Sequence, residues 1–172
     1  MLISERTSLA LDEIVGAFFD LNRSFDRAVS IMQNKFSMPN AANIIHHKLA
    51  HLFPLLADVV SEFKDEYNMT TIYPETHRDE RDYNDLAQMT GTLLKEMEEV
   101  YQMITMTYDM AAESRELNAM AMLMRLARMF TIVMGQVITL SDKAKELPTA
   151  YDQYDAHIER WGINGIEIKG EF

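Results

Sequence analysis

The chain has 172 residues, of which 48 % are hydrophobic and 25 % charged, a balance typical of a globular protein and not of a disordered one. It contains no cysteine, which excludes disulfides, thiolate metal sites and cysteine nucleophiles. The net charge of −11 disfavours binding to nucleic acid, because the sequence has no basic patch or tail that would override it.

Two features bear on the location of the protein. Residues 1–7 lack a basic region followed by an apolar run, so no secretory signal is visible, and the absence of cysteine suits a reducing cytoplasm. The apolar stretch 119–140 has the length of a membrane span, but Arg125 and Arg128 interrupt it, and charged side chains are costly in lipid. We therefore expect a cytoplasmic protein without a membrane segment, in which this stretch is a buried helix.

Four long segments have the hydrophobic periodicity of amphipathic helices. The predicted helices span residues 7–35, 40–65, 80–113, 116–147 and, as a short final helix, 149–161. Pro54 lies within the second helix, where we expect a kink. No shift in composition marks a boundary, so residues 1–172 are predicted to form a single domain.

The connections between the four long helices are short, long and short in turn. Short links join antiparallel neighbours, whereas a link of roughly fifteen residues can travel the length of a bundle. One long crossover between helices 2 and 3 predicts an all-α fold of the ferritin-like four-helix-bundle kind. Two helical hairpins joined by a linker would give the same connection lengths.

The second helix carries candidate metal ligands. At 100° per residue, His47, His51, Asp58 and Glu62 fall on one face, roughly 130° from the apolar stripe. Imidazole and carboxylate groups bind iron, zinc or manganese. Because the histidines and the carboxylates are about two turns apart, a site that uses both requires a second copy of this helix or a neighbouring helix. His46 is predicted to point elsewhere.

The alternative for this face is a solvated surface with an incidental pair of histidines. His77 and His157 are isolated, and we expect each to be structural or exposed. Ten of the 14 methionines lie on the third and fourth helices, where they are expected to fill the core and an interface. Since stretch 119–140 is apolar almost all round, we expect a homo-oligomer interface to cover it.

The spacing of polar residues in 45–66 resembles the second helix of the Dps proteins, the miniferritins of the ferritin-like superfamily. In that family a histidine is followed four positions later by an acidic residue, and fifteen and nineteen positions later by two more. Here those positions hold His47, His51, Glu62 and Glu66. Phe53 and the Tyr73-Pro74 pair are also similar to the family.

The resemblance implies a Dps-type ferroxidase, which oxidises iron(II) with peroxide or oxygen at a site between two subunits and stores the product in a twelve-subunit shell. It implies His47, Glu62 and Glu66 as ligands, with His51 in place of a carboxylate. A further histidine of the family corresponds here to Lys35, whose protonated amine cannot bind a metal. The ligand set is therefore reduced.

The sequence thus predicts a ferritin-like protein that forms a homo-oligomer, from a dimer up to a dodecamer, and binds iron or zinc. The predicted metal ligands are His47, His51, Asp58, Glu62 and Glu66. Any catalysis would be redox chemistry at the metal, since no catalytic side chain or cofactor loop is predicted. The alternatives are a helical oligomerisation scaffold that has lost the metal, and a bundle that binds a ligand in a methionine-lined core.

Overall fold

We describe the protein in a computed structural model, from residue 2 to residue 168. All regular structure in that range is helical, which confirms the predicted all-α class. The elements are α1 (Glu5–Asn34), α2 (Pro39–Ile45), a π-helical turn (His46–Ala50), α3 (Leu52–Glu66), α4 (Leu86–Glu113), α5 (Leu117–Glu146), α6 (Tyr151–His157) and a 3-10 turn (Ile158–Trp161).

The predicted helices correspond to these elements, but the predicted start of the third helix at residue 80 is wrong. The chain is extended at Asp85, whose side chain accepts a hydrogen bond from the backbone N–H of Gln88 at 2.8 Å. An aspartate in this position caps a helix by satisfying one of its free N–H groups. Helix α4 therefore begins at Leu86.

Helix α1 packs against both α3 and α4, and α5 packs mainly against α4. Arg6 Nη1 contacts Glu113 Oε2 at 3.2 Å, so the start of α1 lies beside the end of α4. Asn22, in the middle of α1, donates to the carbonyl of Ala50 near the start of α3. Lys64, near the end of α3, contacts Ser8 near the start of α1. Helix α1 is therefore antiparallel to both of its neighbours.

The long link between α3 and α4 follows α1 from one end to the other. Its polar contacts occur in chain order: Ile72 N to Asp12 Oδ1 (3.1 Å), His77 N to Asp20 Oδ1 (3.4 Å), Arg27 Nε to Arg81 O (2.8 Å) and Lys35 Nζ to Tyr83 O (2.7 Å). This crossover returns the chain to the end of the molecule where α3 began, so that α3 and α4 run in the same direction.

Helix α5 is buried on one face only. Among the described residues it is the one helix that is long and apolar enough to cross a membrane, with a mean hydropathy of 1.4. The core helix of a soluble protein can have the same length and composition. Only 33 % of its apolar window is buried. The outward face exposes Leu117, Met124, Ile132 and Ile138. The inward face is buried as predicted, and the outward face is the one that the predicted interface between copies would have to cover.

Candidate metal centre

The second long helical segment is irregular one turn before Pro54. Proline has no N–H to donate to the carbonyl of Ala50, and its ring crowds that carbonyl. Asn22 of α1 donates to the Ala50 oxygen instead, from Nδ2 at 2.8 Å. The preceding backbone is π-helical, and the N–H of His51 donates to the carbonyl of His46, five residues earlier, at 3.3 Å. The turn before Pro54, where the sequence predicts a kink, is therefore π-helical.

This turn brings three histidines together on the surface. His46, His47 and His51 each offer a ring nitrogen, and these nitrogens lie within 4.8 Å of one another. The ring centroids are 4.3 Å apart for His46 and His51, 4.9 Å for His46 and His47, and 5.4 Å for His47 and His51. His47 and His51 are exposed, whereas His46 is half-buried.

The prediction that His46 points away from the other two histidines is wrong. In a regular α-helix, residues 46 and 51 would lie about 140° apart around the axis. A π-helical turn contains one residue more than an α-helical turn. The backbone hydrogen bond from the N–H of residue 51 to the carbonyl of residue 46 therefore places these two side chains on the same face. Turns of this kind occur frequently at functional sites.

A carboxylate from α1 orients His46. Asp26 Oδ1 lies 3.0 Å from His46 Nδ1. This contact favours the tautomer that carries its hydrogen on Nδ1, because the carboxylate accepts it, and the lone pair on Nε2 is then available to a metal. Metal-binding histidines in proteins commonly have such a carboxylate partner. The sequence does not predict this contact, because Asp26 lies on a different helix from His46.

The chemistry of these side chains fits zinc better than iron. Neutral imidazoles bind zinc, copper, nickel and iron, and three histidines with an open fourth position form one established type of zinc site. In a tetrahedral zinc site the nitrogens lie ~3.3 Å apart, so rotation of the exposed His47 and His51 rings would have to close the present spacing. No carboxylate belongs to the group of ligand atoms among residues 2–168.

The predicted carboxylates lie further along α3. Asp58, Glu62 and Glu66 are all exposed. At 1.5 Å per residue, Asp58 lies about 10 Å from His51 along the helix axis, and Glu62 about 16 Å. They cannot bind the same ion as His51 of their own chain. They continue the exposed stripe on which His51 and Leu55 lie.

Lys35, at the position of the family's further histidine, has a structural role. Its Nζ contacts both carboxylate oxygens of Asp82 at 2.8 Å and the carbonyl of Tyr83 at 2.7 Å. The hydrogen bond from Lys35 is the main reason that the pKa of the Asp82 carboxyl lies below its usual value. The lysine thereby joins the end of α1 to the end of the crossover.

A cleft of ≈ 430 Å³ lies between α1, the crossover and α4. Arg81 crosses it and binds Asp79 through two hydrogen bonds of 2.6 and 3.0 Å, and it also contacts Glu96. The hydrogen bonds from Arg81 hold the pKa of Asp79 below its usual value. His77 lies at the same cleft. The ion pair between Arg81 and Glu96 therefore bridges the cleft and fixes the crossover to α4.

Comparison of the sequence with protein-family models and with curated proteins gives no match. The resemblance to the Dps proteins therefore rests on the residues of segment 45–66, on the Tyr73-Pro74 pair and on the order and lengths of the helices. In the structure Tyr73 lies beside Phe19 of α1, with ring centroids 6.2 Å apart, and Pro74 packs on Gly16. These two residues thus hold the crossover against α1.

Proposed function

We propose that this protein binds a divalent transition-metal ion, zinc in the first place, through His46, His47 and His51. The observation that carries the proposal is the group of three ring nitrogens within 4.8 Å of one another. The carboxylate of Asp26 supports it, because it fixes the orientation of one ligand before the metal arrives. A metal bound by three imidazoles keeps a fourth position for water or for a ligand from another molecule.

The test is a titration of the metal-stripped protein. Calorimetry measures the binding of zinc, and visible absorption measures the binding of cobalt(II), a coloured substitute for zinc. We expect about one ion per chain, consistent with a three-ligand site. His46→Ala should weaken binding at least ten-fold, since it removes a ligand. His77→Ala is the matched control, because it removes an exposed histidine of the crossover that lies outside the cluster.

Two results would overturn the proposal. One is a wild-type protein that binds neither zinc nor cobalt, which would leave the oligomerisation scaffold as the better description. The other is an affinity that stays at the wild-type level when both His47 and His51 are replaced by Ala.

Iron oxidation between two copies of the chain is a second candidate, favoured by the spacing along the exposed stripe of α3. A two-fold axis between residues 56 and 57 of two antiparallel α3 helices would set His47 opposite Glu66 of the second copy, and His51 opposite Glu62. Each pair would combine an imidazole with a carboxylate, the chemistry that the resemblance to Dps implies. The ferritin-like arrangement, with one long crossover between the second and third long helices, belongs to the same proposal.

Iron(II) followed by oxygen or peroxide tests this candidate. Many irons per chain, an absorbance of oxidised iron and a particle of about twelve subunits by light scattering would establish storage. A single bound ion that does not turn over would leave the three-histidine centre alone. Glu62→Gln separates the two candidates, because it removes a carboxylate from the paired site and leaves the histidine cluster intact.

A further inference from the structure

The segment 163–168, which we call the C-terminal strap, passes directly over the π-helical turn. Gly165 has a φ of 66°, in the left-handed region that favours glycine. A Cβ atom added to it would lie 2.4 Å from the carbonyl oxygen of Lys48 and 3.2 Å from Leu52 Cδ1. Only glycine therefore allows the strap to approach the backbone of the turn so closely.

Helix α5 holds the strap in this position. Gln136 Nε2 donates to the carbonyl of Gly165 at 2.9 Å, and the N–H of Gly165 donates to Gln136 Oε1 at 2.8 Å. Both polar atoms of the Gln136 amide are thus hydrogen-bonded to the backbone of Gly165 in the strap. Ile163 is 4 % exposed and anchors the segment just before this contact.

The π-helical turn is therefore contacted from two sides. Asn22 of α1 binds the carbonyl of Ala50, and the strap lies against the carbonyl of Lys48. A turn of this kind is rare, and here the contacts from Asn22 and from the strap stabilise it together with Pro54. Return to regular helix would carry His46 about 140° away from His51 and break the cluster.

We infer that Gln136 and Gly165 are positioning residues for the metal centre: by holding the strap on the π-helical turn, they keep the three imidazoles on one face. Neither residue is one of the three proposed ligands. The inference rests on the proposed metal binding and names the part of the chain on which the affinity of that site depends. Detachment of the strap lowers the affinity, and metal binding in turn strengthens the attachment of the strap, because such coupling is reciprocal.

Two glycines of the same tail provide a matched pair of variants. Gly165→Ala places a methyl group against Lys48 and strains a positive φ. Gly162→Ala strains a similar φ of 72° but meets nothing within 4 Å. The cost of the backbone strain is common to both, so any excess effect of Gly165→Ala comes from the contact with the turn.

We expect Gly165→Ala and Gln136→Ala to weaken cobalt and zinc binding about ten-fold or more, the range for residues that orient metal ligands. Gly162→Ala should remain within about three-fold of the wild type. The cobalt absorption spectrum should also change, because loss of His46 alters the ligand field. A residue with only a structural role would lower thermal stability but leave the affinity and the spectrum of the folded protein unchanged.

Hydrogen exchange of the His51 N–H without metal provides a second measurement, independent of binding. Faster exchange in Gly165→Ala than in Gly162→Ala supports the inference even if the wild type binds no metal, in which case only the proposed function fails. Wild-type affinity, spectrum and exchange rate in both Gly165→Ala and Gln136→Ala would overturn the inference and leave the proposed function intact.

Discussion

Lys64 is fully buried between α3 and α1, where its amine meets the carboxylate of Asp12. The same amine lies 3.4 Å from the carbonyl of Ser8, and Asp12 also accepts the N–H of Ile72. Such a pair offsets the cost of removing two charges from water, but each partner depends on the other. The contact with Ile72 extends this dependence to the first part of the crossover.

We predict that Lys64→Met lowers the free energy of unfolding by about 3–5 kcal/mol, because Asp12 would remain buried without its counter-charge. Urea denaturation measures the change. Lys95→Met is the control, since Lys95 is exposed on α4, and surface changes of this kind usually stay within about 0.5 kcal/mol. Equal midpoints for the two variants would show that the buried pair contributes nothing.

The candidate site shows which residue contacts a sequence can and cannot reveal. The proximity of His47 and His51 follows from helical spacing alone, because they are one turn apart on the same helix. The inclusion of His46 does not, since it depends on a turn with a different number of residues. The available signal was Pro54, which frees the carbonyl of Ala50 and so disturbs the turn before it. Asp26 could not be found without knowing how α1 packs.

At the scale of the helix, replacement of Pro54 should affect stability and zinc affinity in opposite directions. Pro54→Ala restores an N–H that can donate to Ala50, so the π-helical turn should return to regular helix. We predict that the variant is as stable as the wild type or more stable, whereas its zinc affinity falls at least ten-fold. Thermal denaturation and calorimetry measure the two effects.

Pro39→Ala is the control for this change. Pro39 lies in the first turn of α2, where proline displaces no helical hydrogen bond, so metal affinity should be unchanged. A Pro54→Ala protein that binds zinc as tightly as the wild type would show that the π-helical turn does not depend on proline, or that the cluster does not depend on the turn. Hydrogen exchange at His51 distinguishes these two explanations.

The docking of the crossover on α1 depends on Gly16. A Cβ atom at this position would lie 2.8–2.9 Å from the ring of Pro74, which is rigid. Gly91 of α4 has nothing within 4 Å of the corresponding atom. We predict that Gly91→Ala stabilises the protein by up to about 1 kcal/mol, the usual gain inside a helix, and that Gly16→Ala destabilises it.

Chemical denaturation of the two glycine variants checks the signs. Proteolysis of the crossover, at residues 70–80, should accelerate in Gly16→Ala only. If both variants gain stability, Pro74 does not pack on α1 in solution.

The helices themselves could be predicted because their apolar residues recur with helical periodicity over many turns. The start of α4 could not, since residues 80–85 are compatible with a helix in isolation. Arg81 instead binds Glu96 of α4 across the cleft, and Lys35 of α1 binds Tyr83, so tertiary contacts hold this segment extended. The packing of the crossover along α1 likewise depends on contacts between residues far apart in the chain.

At the scale of the whole molecule, two exposed surfaces are candidates for the predicted interface between copies of the chain. One is the stripe of α3 with Leu55 at its centre, 48 % exposed and flanked by the histidines and carboxylates. The other is the outward face of α5, where Ile138 is 43 % exposed. The paired metal site requires the α3 stripe as the interface, whereas the apolar composition of α5 favours the outward face of α5.

If the proposed site shared between α3 helices forms, Leu55→Arg lowers the mass of the particle measured by light scattering, because a charge at the centre of the α3 pairing opposes association. Ile138→Arg, which places the same charge on the other surface, should leave the mass unchanged. The reverse result would assign the interface to α5 and would remove the basis for a site shared between α3 helices.

The exposed histidine cluster also has a practical consequence for anyone who purifies this protein. Three surface imidazoles that each place a ring nitrogen within 4.8 Å of the others form a binding site for immobilised nickel or cobalt resin. The untagged chain should be retained on such a column and elute with imidazole, and His46→Ala should elute earlier. Metal contents measured on protein that carries an added histidine tag would then reflect two competing sites, so the tag has to be removed before any ion is counted.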